Sequence, residues 1–323
     1  MQEHLSRNLG LDLVRATEAA AIAAGRWMGL GKPVEANNAA AAAMAQALNT
    51  FDIDGQIIIG EEGKLGKHSI LDTGQKIGTG KGPAMAVVVD PLDGANLLAK
   101  GHSDAISVVG VAPFGAMSSL YPAIYMEKIV VGQEVAAMLV PECMNAPAAW
   151  TLALVARAKK KAMRDLVVFI LDRERHHDLV EEIRSAGARV VLRSDGDIAG
   201  ALMAISSNVN IDILMGVGGV AEGVIAACAV KSMGGAMLGR LAPQSAHERD
   251  ELTAAGLNTT KIYTCDELVA GVEIFFAATG VTDGKLLSGV RYNGDEAQTE
   301  SLVLRCETGS LRRIQAVHLQ GIS

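Results

Sequence analysis

Residues 165–206 read DLVVFILDRERHHDLVEEIRSAGARVVLRSDGDIAGALMAIS and repeat one pattern twice. In each repeat a short run of branched apolar residues comes first, and a segment with helical spacing follows it. Continuous apolar runs of this length predict buried strands, and the spacing after them predicts helices. The alternation continues with IDILMGVGG (211–219), which predicts a strand, and AEGVIAACAVKSMG (221–234), which predicts a helix. Strands that alternate with helices predict an α/β fold with a parallel sheet.

The rest of the chain is less regular. Helices are predicted at residues 11–28, about 36–48 and 148–161. Strands are predicted by the runs GQIIIGEE (55–62), AMAVVVDPLDG (84–94), AISVVGVA (105–112), KIVVG (128–132), part of EVAAMLV (134–140) and, as a later part of the α/β pattern, EIFFAATG (273–280). Residues 300–319 predict a closing hairpin that turns at Thr308 and Gly309. We expect a domain boundary near Arg164, between an α+β half at 1–164 and an α/β half at 165–323.

The composition of the 323 residues excludes several classes of protein. The net charge is −7, so the chain lacks the basic surface that a nucleic-acid-binding protein needs. The longest apolar runs have the length of strands, so no transmembrane helix is expected. The four cysteines are far apart and form no C-x-x-C pair. They predict reduced core thiols in a cytosolic protein.

Two acidic segments follow predicted strands in the N-terminal half. Asp90 and Asp93 are three residues apart in DPLDG, and Glu61 and Glu62 follow GQIIIG. Hard divalent cations bind clustered carboxylate oxygens, so neighbouring strands with these ends would form a metal site. An ordinary turn with an aspartate as helix N-cap explains the first segment about equally well, and a solvated loop explains the second.

Three further segments lie in the C-terminal half. The glycine loop GVGGVAEG at 216–223 presents backbone N–H groups that suit a phosphate, or it is only a tight connection between strand and helix. Its spacing also fits a weak dinucleotide fingerprint, although the expected acidic residue about 20 positions later is missing. Asp195 and Asp197 suit sugar hydroxyls, with a helix N-cap as the alternative. Arg173 and Arg175 suit bidentate phosphate binding.

Taken in order, these motifs resemble the class II fructose-1,6-bisphosphatases, which are bacterial sugar phosphatases related to the lithium-sensitive inositol monophosphatase superfamily. The resemblance extends almost from end to end. It rests on RATEAAAIAAGRWMGLG, DIDGQIIIGE, IGTGKGPAMAVVVDPLDG, YMEKIVVG, ILDRERH, SDGD, MGVGGVAEGV, FFAATGVTDGKLL and RRIQAVH. It implies a layered αβαβα sandwich, with a metal-binding N-terminal half and a substrate-binding C-terminal half.

The resemblance also implies an activity. The family hydrolyses the 1-phosphate of fructose 1,6-bisphosphate with Mg²⁺ or Mn²⁺, and some members accept sedoheptulose 1,7-bisphosphate. By position in the motifs, the catalytic residues are Glu61, Asp90 and Asp93, and the metal ligands are Asn37, Glu61, Asp90, Asp93 and Glu222. The implied substrate contacts are Asp93, Gly94, Ala95, Tyr125, Arg173, Glu174, Arg175, Asp195, Gly196, Asp197 and Gly219. The chain would be a cytoplasmic hydrolase of carbohydrate metabolism, gluconeogenesis included, that binds neither nucleic acid nor membrane and forms a homodimer or tetramer.

The chain departs from the family pattern at several positions. Asn37 stands where the family has a metal-binding aspartate, so one negative charge is lost while a carbonyl oxygen remains. The family sequence D-P-x-E-G-T is DPLDGA at residues 90–95. Ala95 therefore lacks a hydroxyl that the resemblance expects to orient the attacking water, a loss that costs about 2–4 kcal/mol in the barrier if nothing replaces it. The loop at 62–76 carries basic side chains where the family is acidic.

These departures leave a second hypothesis, a catalytically weak paralogue that binds a sugar phosphate or a partner enzyme as a regulator. A third hypothesis, a dinucleotide-dependent oxidoreductase, depends on the glycine loop alone.

Overall fold

A computed structural model describes residues 8–60 and 69–319 of the chain. Contacts within the chain divide it into two compact units. Unit 1 combines Met1–Met117 with Gly271–Ser323, and unit 2 is Ser118–Ala270. Glu61 and Glu62 lie outside the described residues, so the acidic end of the first predicted strand has no structural description.

Unit 1 contains a mixed sheet and the helices that pack on it. Its elements are α1 (Leu9–Gly25), α2 (Pro33–Leu48), β1 (Asp54–Ile59), β2 (Lys76–Ile77), β3 (Ala84–Asp93), α3 (Ala95–Ala99), β4 (Ile106–Pro113), β11 (Phe275–Gly280), β12 (Arg291–Asn293), β13 (Glu296–Arg305), a 3₁₀ turn (Cys306–Thr308) and β14 (Ser310–Leu319). In the described part, the strand order is β12-β13-β11-β4-β3-β1-β2, and β14 pairs with β13. Within these strands β1 and β3 are parallel, and the other pairs are antiparallel.

Alanine brings α1 and α2 close together. Ala16, Ala20 and Ala24 of α1 are fully buried, as are Ala36 and Ala40 of α2. A methyl side chain lets two helix backbones approach closely, and α1 in turn packs on β4, β11 and β13. The two helices predicted for the N-terminal region are therefore confirmed. The first of them, α1, packs against the sheet of unit 1.

Unit 2 contains a second mixed sheet. Its elements are β5 (Tyr125–Val131), α4 (Gln133–Ala136), a 3₁₀ turn (Pro141–Met144), α5 (Ala148–Lys159), a 3₁₀ turn (Met163–Asp165), β6 (Val167–Leu171), a 3₁₀ turn (Glu174–His176), α6 (His177–Ser185), β7 (Arg189–Arg193), α7 (Asp197–Ile205), β8 (Ile213–Gly219), α8 (Val220–Ser232), β9 (Ala236–Leu241), α9 (Ala246–Ala254), β10 (Ile262–Thr264) and α10 (Cys265–Leu268). The strand order is β10-β9-β5-β8-β6-β7.

Helices cover both faces of the unit 2 sheet. Val168 and Ile170 of β6 pack in one core with α5 and α6. Phe169 points the other way and leaves no room for a Cβ at Gly200 of α7. Side chains alternate between the two faces of a strand, so α7 lies on the opposite face from α5 and α6. Unit 2 is therefore a three-layer α/β/α structure, and the predicted α/β class is confirmed.

The sheet of unit 2 is mixed rather than parallel. β6 is parallel to β7 and to β8, as the alternation predicts. β5 lies between β8 and β9 and is antiparallel to both. The predicted parallel sheet is confirmed for β6, β7 and β8. It is wrong for the sheet as a whole, because β5 is inserted between β8 and β9 and because β10 pairs antiparallel with β9.

Three further details differ from the sequence prediction. Part of 134–140, expected as a strand, is the short helix α4. The run at 273–280, expected to continue the α/β pattern, is β11 of unit 1, where it pairs with β4 and β13. A domain boundary near Arg164 would separate β5 from its partners β8 and β9. The two compact units instead divide after Met117 and after Ala270.

The closing hairpin is as predicted. β13 and β14 pair over ten residues each, and Gly309 at the turn has φ +57°.

The cysteines form no disulfide in the described part of the chain, and Cys143, Cys228 and Cys265 are buried. Over residues 8–60 and 69–319, none of the helices combines the length and the apolarity that a membrane crossing requires.

Candidate active site

The end of β3 buries two carboxylates. Asp90 is 1% exposed and Asp93 is 4% exposed, and the pairing with β4 shifts register between them. The N–H of Leu92 donates to Asp90 Oδ1 at 3.1 Å, so the Asp90 side chain stabilises the turn that follows it. Gly94, with φ +93°, occupies the N-cap of α3. The interpretation of an aspartate as helix cap is therefore wrong, while the contact between Leu92 and Asp90 is that of an ordinary turn.

The other expected residues of unit 1 lie on neighbouring elements. Asn37 is 6% exposed near the start of α2, and α2 packs against β3 and α3. Ala95 is the first residue of α3, directly after the turn. Glu61 lies outside the described residues, so its place beside Asp90 stays a prediction.

The described donors of unit 1 are all oxygens. Two carboxylates and one amide carbonyl suit hard divalent cations such as Mg²⁺ and Mn²⁺. Between residues 8 and 319, with 61–68 excepted, no group of three or more His, Cys, Asp or Glu side chains is placed to hold a metal ion. Glu61 is among the excepted residues, and Asn37 is not one of those four types. The donor chemistry fits a hard cation.

In unit 2, the junction of β8 and α8 packs two carboxylates against glycines. A Cβ at Gly218 would overlap the Asp197 carboxylate, and a Cβ at Gly219 would overlap the Glu222 carboxylate. The glycines make room for protein side chains, so the oxidoreductase hypothesis loses the feature on which it depends.

A buried lysine contacts this junction from β5. Lys128 is 2% exposed. Its Nζ donates to the Asp197 carboxylate and, at 3.2 Å, to the carbonyl oxygen of Gly219. Burial raises the pKa of the Asp197 carboxyl above its ordinary value, Lys128 opposes that change, and the Glu222 carboxylate adds to it. Asp197, Glu222 and Lys128 thus form one electrostatically coupled group.

A second set of contacts attaches the turn after β6 to the end of β8. The guanidinium of Arg175 lies 5.1 Å from the ring centroid of Tyr125 and donates to the Val217 carbonyl at 3.0 Å. His176 is buried: its Nε2 accepts from the Val217 N–H at 2.8 Å, and its Nδ1 lies 2.6 Å from the Leu171 carbonyl oxygen. Burial lowers the pKa of His176. The neutral imidazole with its proton on Nδ1 satisfies both contacts.

The remaining expected residues of unit 2 lie in the same turns. Arg173 donates to the preceding carbonyl at 3.2 Å, and the exposed Glu174 begins the 3₁₀ turn. Gly196 has φ +90° and is the N-cap of α7, which makes Asp197 the first helical residue and not the cap. Asp195, which directly precedes Gly196, is half-buried. Unit 2 therefore brings the expected substrate contacts from β5, β6, β7 and β8 to one end of its sheet.

The sequence prediction missed Lys128 and His176. Lys128 alternates with Met126 and Val130, which are buried, so the period of β5 already places it on an inward face. A buried lysine needs a partner, and this was the available signal. The adjacent histidines at 176 and 177 predict surface positions at a helix start. That prediction is wrong for His176, which is 3% exposed and accepts a hydrogen bond from the neighbouring strand.

Comparison with known proteins gives consistent matches. The profile of the family described as "Bacterial fructose-1,6-bisphosphatase, glpX-encoded" matches residues 7–318. The "Fructose-1,6-bisphosphatase class 2" of Haemophilus influenzae is 35% identical over 327 residues, which cover 97% of each chain. The "D-fructose 1,6-bisphosphatase class 2/sedoheptulose 1,7-bisphosphatase" of Synechococcus sp. strain JA-2-3B'a(2-13) is 35% identical over 341 residues, 98% of this chain and 97% of that one. The matches cover both units.

Proposed function

Because the chain belongs to the family of bacterial, glpX-encoded fructose-1,6-bisphosphatases, we propose that it hydrolyses the 1-phosphate of fructose 1,6-bisphosphate. The observation that carries this proposal is the pair of buried carboxylates, Asp90 and Asp93, at the end of β3. The oxygen of a water molecule forms a bond to phosphorus, and the bond from phosphorus to the C1 oxygen breaks. The C1 oxygen keeps the electron pair and takes up a proton, so a sugar monophosphate and inorganic phosphate result.

The acids of unit 1 are proposed to hold the cofactor. Asn37, Asp90 and Asp93, together with Glu61, would bind Mg²⁺ or Mn²⁺, and the family implies such a requirement. A bound divalent ion lowers the pKa of a water molecule and neutralises charge on phosphoryl oxygens. Asp90 and Asp93 would supply the carboxylate oxygens that hold this ion. Glu222, proposed as a further ligand, lies in unit 2 beside Asp197.

The residues of unit 2 are proposed to bind the sugar bisphosphate. Arg175, stacked on Tyr125, and Arg173 suit the phosphate that is not cleaved, because a guanidinium donates two parallel hydrogen bonds to it. Asp195 and Asp197 accept hydrogen bonds from sugar hydroxyls. A relative is named for both fructose 1,6- and sedoheptulose 1,7-bisphosphate, and we propose the second sugar as an additional substrate.

The first experiment measures phosphate release from fructose 1,6-bisphosphate by the full chain with Mg²⁺ or Mn²⁺. Asp90→Asn removes one buried carboxylate charge, and we expect at least about a 10²-fold loss of kcat/KM. Asp54→Asn is the control, because this strand aspartate is half-exposed and pairs with Lys76 at 3.4 Å on the surface. Phosphate release by Asp90→Asn at the wild-type rate would contradict the proposal. Sugar-phosphate binding without turnover at any metal concentration would favour the regulator hypothesis instead.

We also propose that the protein acts in the cytoplasm, in gluconeogenesis, as a homodimer or tetramer. Light scattering after gel filtration tests the assembly. A mass near the 33.6 kDa of one chain would contradict it.

A further inference from the structure

The Lys128 ammonium joins two separate segments of unit 2. One contact is the carboxylate of Asp197, at the start of α7, and the other is the carbonyl of Gly219, at the end of β8. These partners are 69 and 91 residues away in the chain. Both segments carry proposed substrate contacts, whereas Lys128 itself is 2% exposed and does not line the surface.

Glycines surround the long side chain of Lys128. Gly216 of β8 and Gly239 of β9 are its partners in the strand register on either side. A Cβ at Gly218 would lie 2.7 Å from Lys128 Nζ, and a Cβ at Gly223 would lie 3.5 Å from its Cδ. Of these glycines, Gly218 is the one where a methyl group would crowd the ammonium, so a glycine is required there for Lys128 to reach its partners.

Burial of an ammonium group is unfavourable unless charge and hydrogen bonds compensate it. The Asp197 carboxylate supplies the opposite charge. Among the described residues, Lys128 is the donor bonded to that carboxylate, through Oδ2. The ion pair therefore fixes the orientation of the Asp197 carboxylate at the start of α7.

We propose that Lys128 is a positioning residue for substrate: it fixes the Asp197 carboxylate and the Gly219 carbonyl in the orientation that binds the sugar hydroxyls of the bisphosphate. The inference depends on the proposed function, since it takes the sugar phosphate as the ligand. Lys128 acts through these two groups and does not touch the reacting phosphate.

The test compares Lys128→Met with wild type. We expect KM for fructose 1,6-bisphosphate to rise about tenfold or more, with kcat changed by less than about threefold, because a contact made equally in ground and transition states affects KM. Lys231→Met is the matched control. Lys231 is another largely buried lysine of unit 2, with a side chain 12% exposed, and it pairs with Asp266 and the Val269 carbonyl. We expect it to lower the melting temperature and leave KM unchanged.

Two additional variants cover the case in which Lys128→Met does not fold. Lys128→Gln keeps a donor without the charge, and Lys128→Arg keeps the charge. We expect Lys128→Arg to recover more of the wild-type KM than Lys128→Gln, which a role limited to filling space would not produce. Wild-type KM in a folded Lys128→Met or Lys128→Gln variant would overturn the inference.

Calorimetric binding of fructose 6-phosphate separates the two proposals. If wild type releases no phosphate but binds this sugar phosphate, the proposed function fails. Weaker binding by Lys128→Met would then still support the positioning role, and equal binding would overturn it. Absence of both turnover and binding in wild type would overturn both proposals.

Discussion

Gly218 and Gly219 are explained by the side chains beside them. A methyl group at either position would overlap a carboxylate, that of Asp197 or that of Glu222. Neither glycine has a positive φ, unlike Gly216 with φ +131°. Replacement of Gly218 would therefore act on the buried Asp197 pair and not on the conformation of the loop. A glycine-rich motif between a strand and a helix can thus indicate room for acids as well as for phosphate.

Asn37 and Ala95 are two of the unit 1 positions at which, by the resemblance, this chain departs from the family pattern. Asn37→Asp restores a carboxylate among the proposed ligands, and Ala95→Thr restores a hydroxyl beside the turn at residues 90–94. We expect the double variant to raise kcat for phosphate release by about 30-fold or more, because a well-placed polar group at a reacting water is worth about 2–4 kcal/mol. Initial rates at saturating Mn²⁺ measure this change.

The control for that variant is Asn38→Asp. It adds the same charge to α2 but at an exposed position, so the rate should not change. An unchanged or lower kcat in the Asn37→Asp, Ala95→Thr double variant would show that the native residues do not attenuate the enzyme.

At the scale of elements, the C-terminal end of α5 is attached to the unit 2 sheet through Asp212. Lys159 and Lys161 approach Asp212 Oδ1 at 2.9 and 2.6 Å, and the N–H of Val167 donates to Oδ2 at 2.9 Å. Burial opposes ionisation of Asp212, but the three donors outweigh it and lower its pKa below the ordinary value. The ionised carboxylate therefore connects the residues around the end of α5 with the start of β6.

Asp212→Asn should lower the free energy of unfolding by about 2–3 kcal/mol at neutral pH, because a buried ion pair loses one partner. The folded-state pKa is depressed, so the stabilisation is present above the unfolded pKa and is lost as the pH falls through the folded one. The difference between wild type and variant should shrink below about pH 4. Urea denaturation across this pH range measures it. A difference that stays constant into acid would contradict the ion-pair account.

The helices and strands that the sequence predicts correctly are those with a clear period. Examples are α1, with alanines on one face, and β6, with a continuous apolar run. Strand direction is a different property, because an apolar run is the same in either orientation. For this reason β5 is predicted as a strand, and its antiparallel position between β8 and β9 is not.

On the scale of the whole molecule, unit 1 is assembled from both ends of the chain. β11, β12, β13 and β14 follow unit 2 in sequence and complete the sheet that β1, β2, β3 and β4 begin. A linear boundary cannot describe such a chain, since the inserted unit returns it to the first sheet. The pairing of β11 with β4 joins residues more than a hundred positions apart, and composition gives no indication of it.

The same limit applies to the candidate site. Acids at strand ends are recognisable because they follow apolar runs, as Asp90 and Asp93 do. The contacts of Lys128 with Asp197 and of His176 with the Val217 backbone are formed between segments that are distant in sequence. Motifs therefore indicate the groups expected to meet substrate, while the supporting contacts follow only from the tertiary pairing.

Phosphorus-31 NMR of fructose 1,6-bisphosphate incubated with the full chain and Mg²⁺ or Mn²⁺ shows which of the two phosphates is released. We expect the C1 phosphate signal to disappear, the C6 signal to remain, and inorganic phosphate to appear in equal amount. Addition of a chelator should stop the reaction. A spectrum in which both ester signals persist at every metal concentration, or in which the C6 phosphate is lost first, would contradict the proposed function.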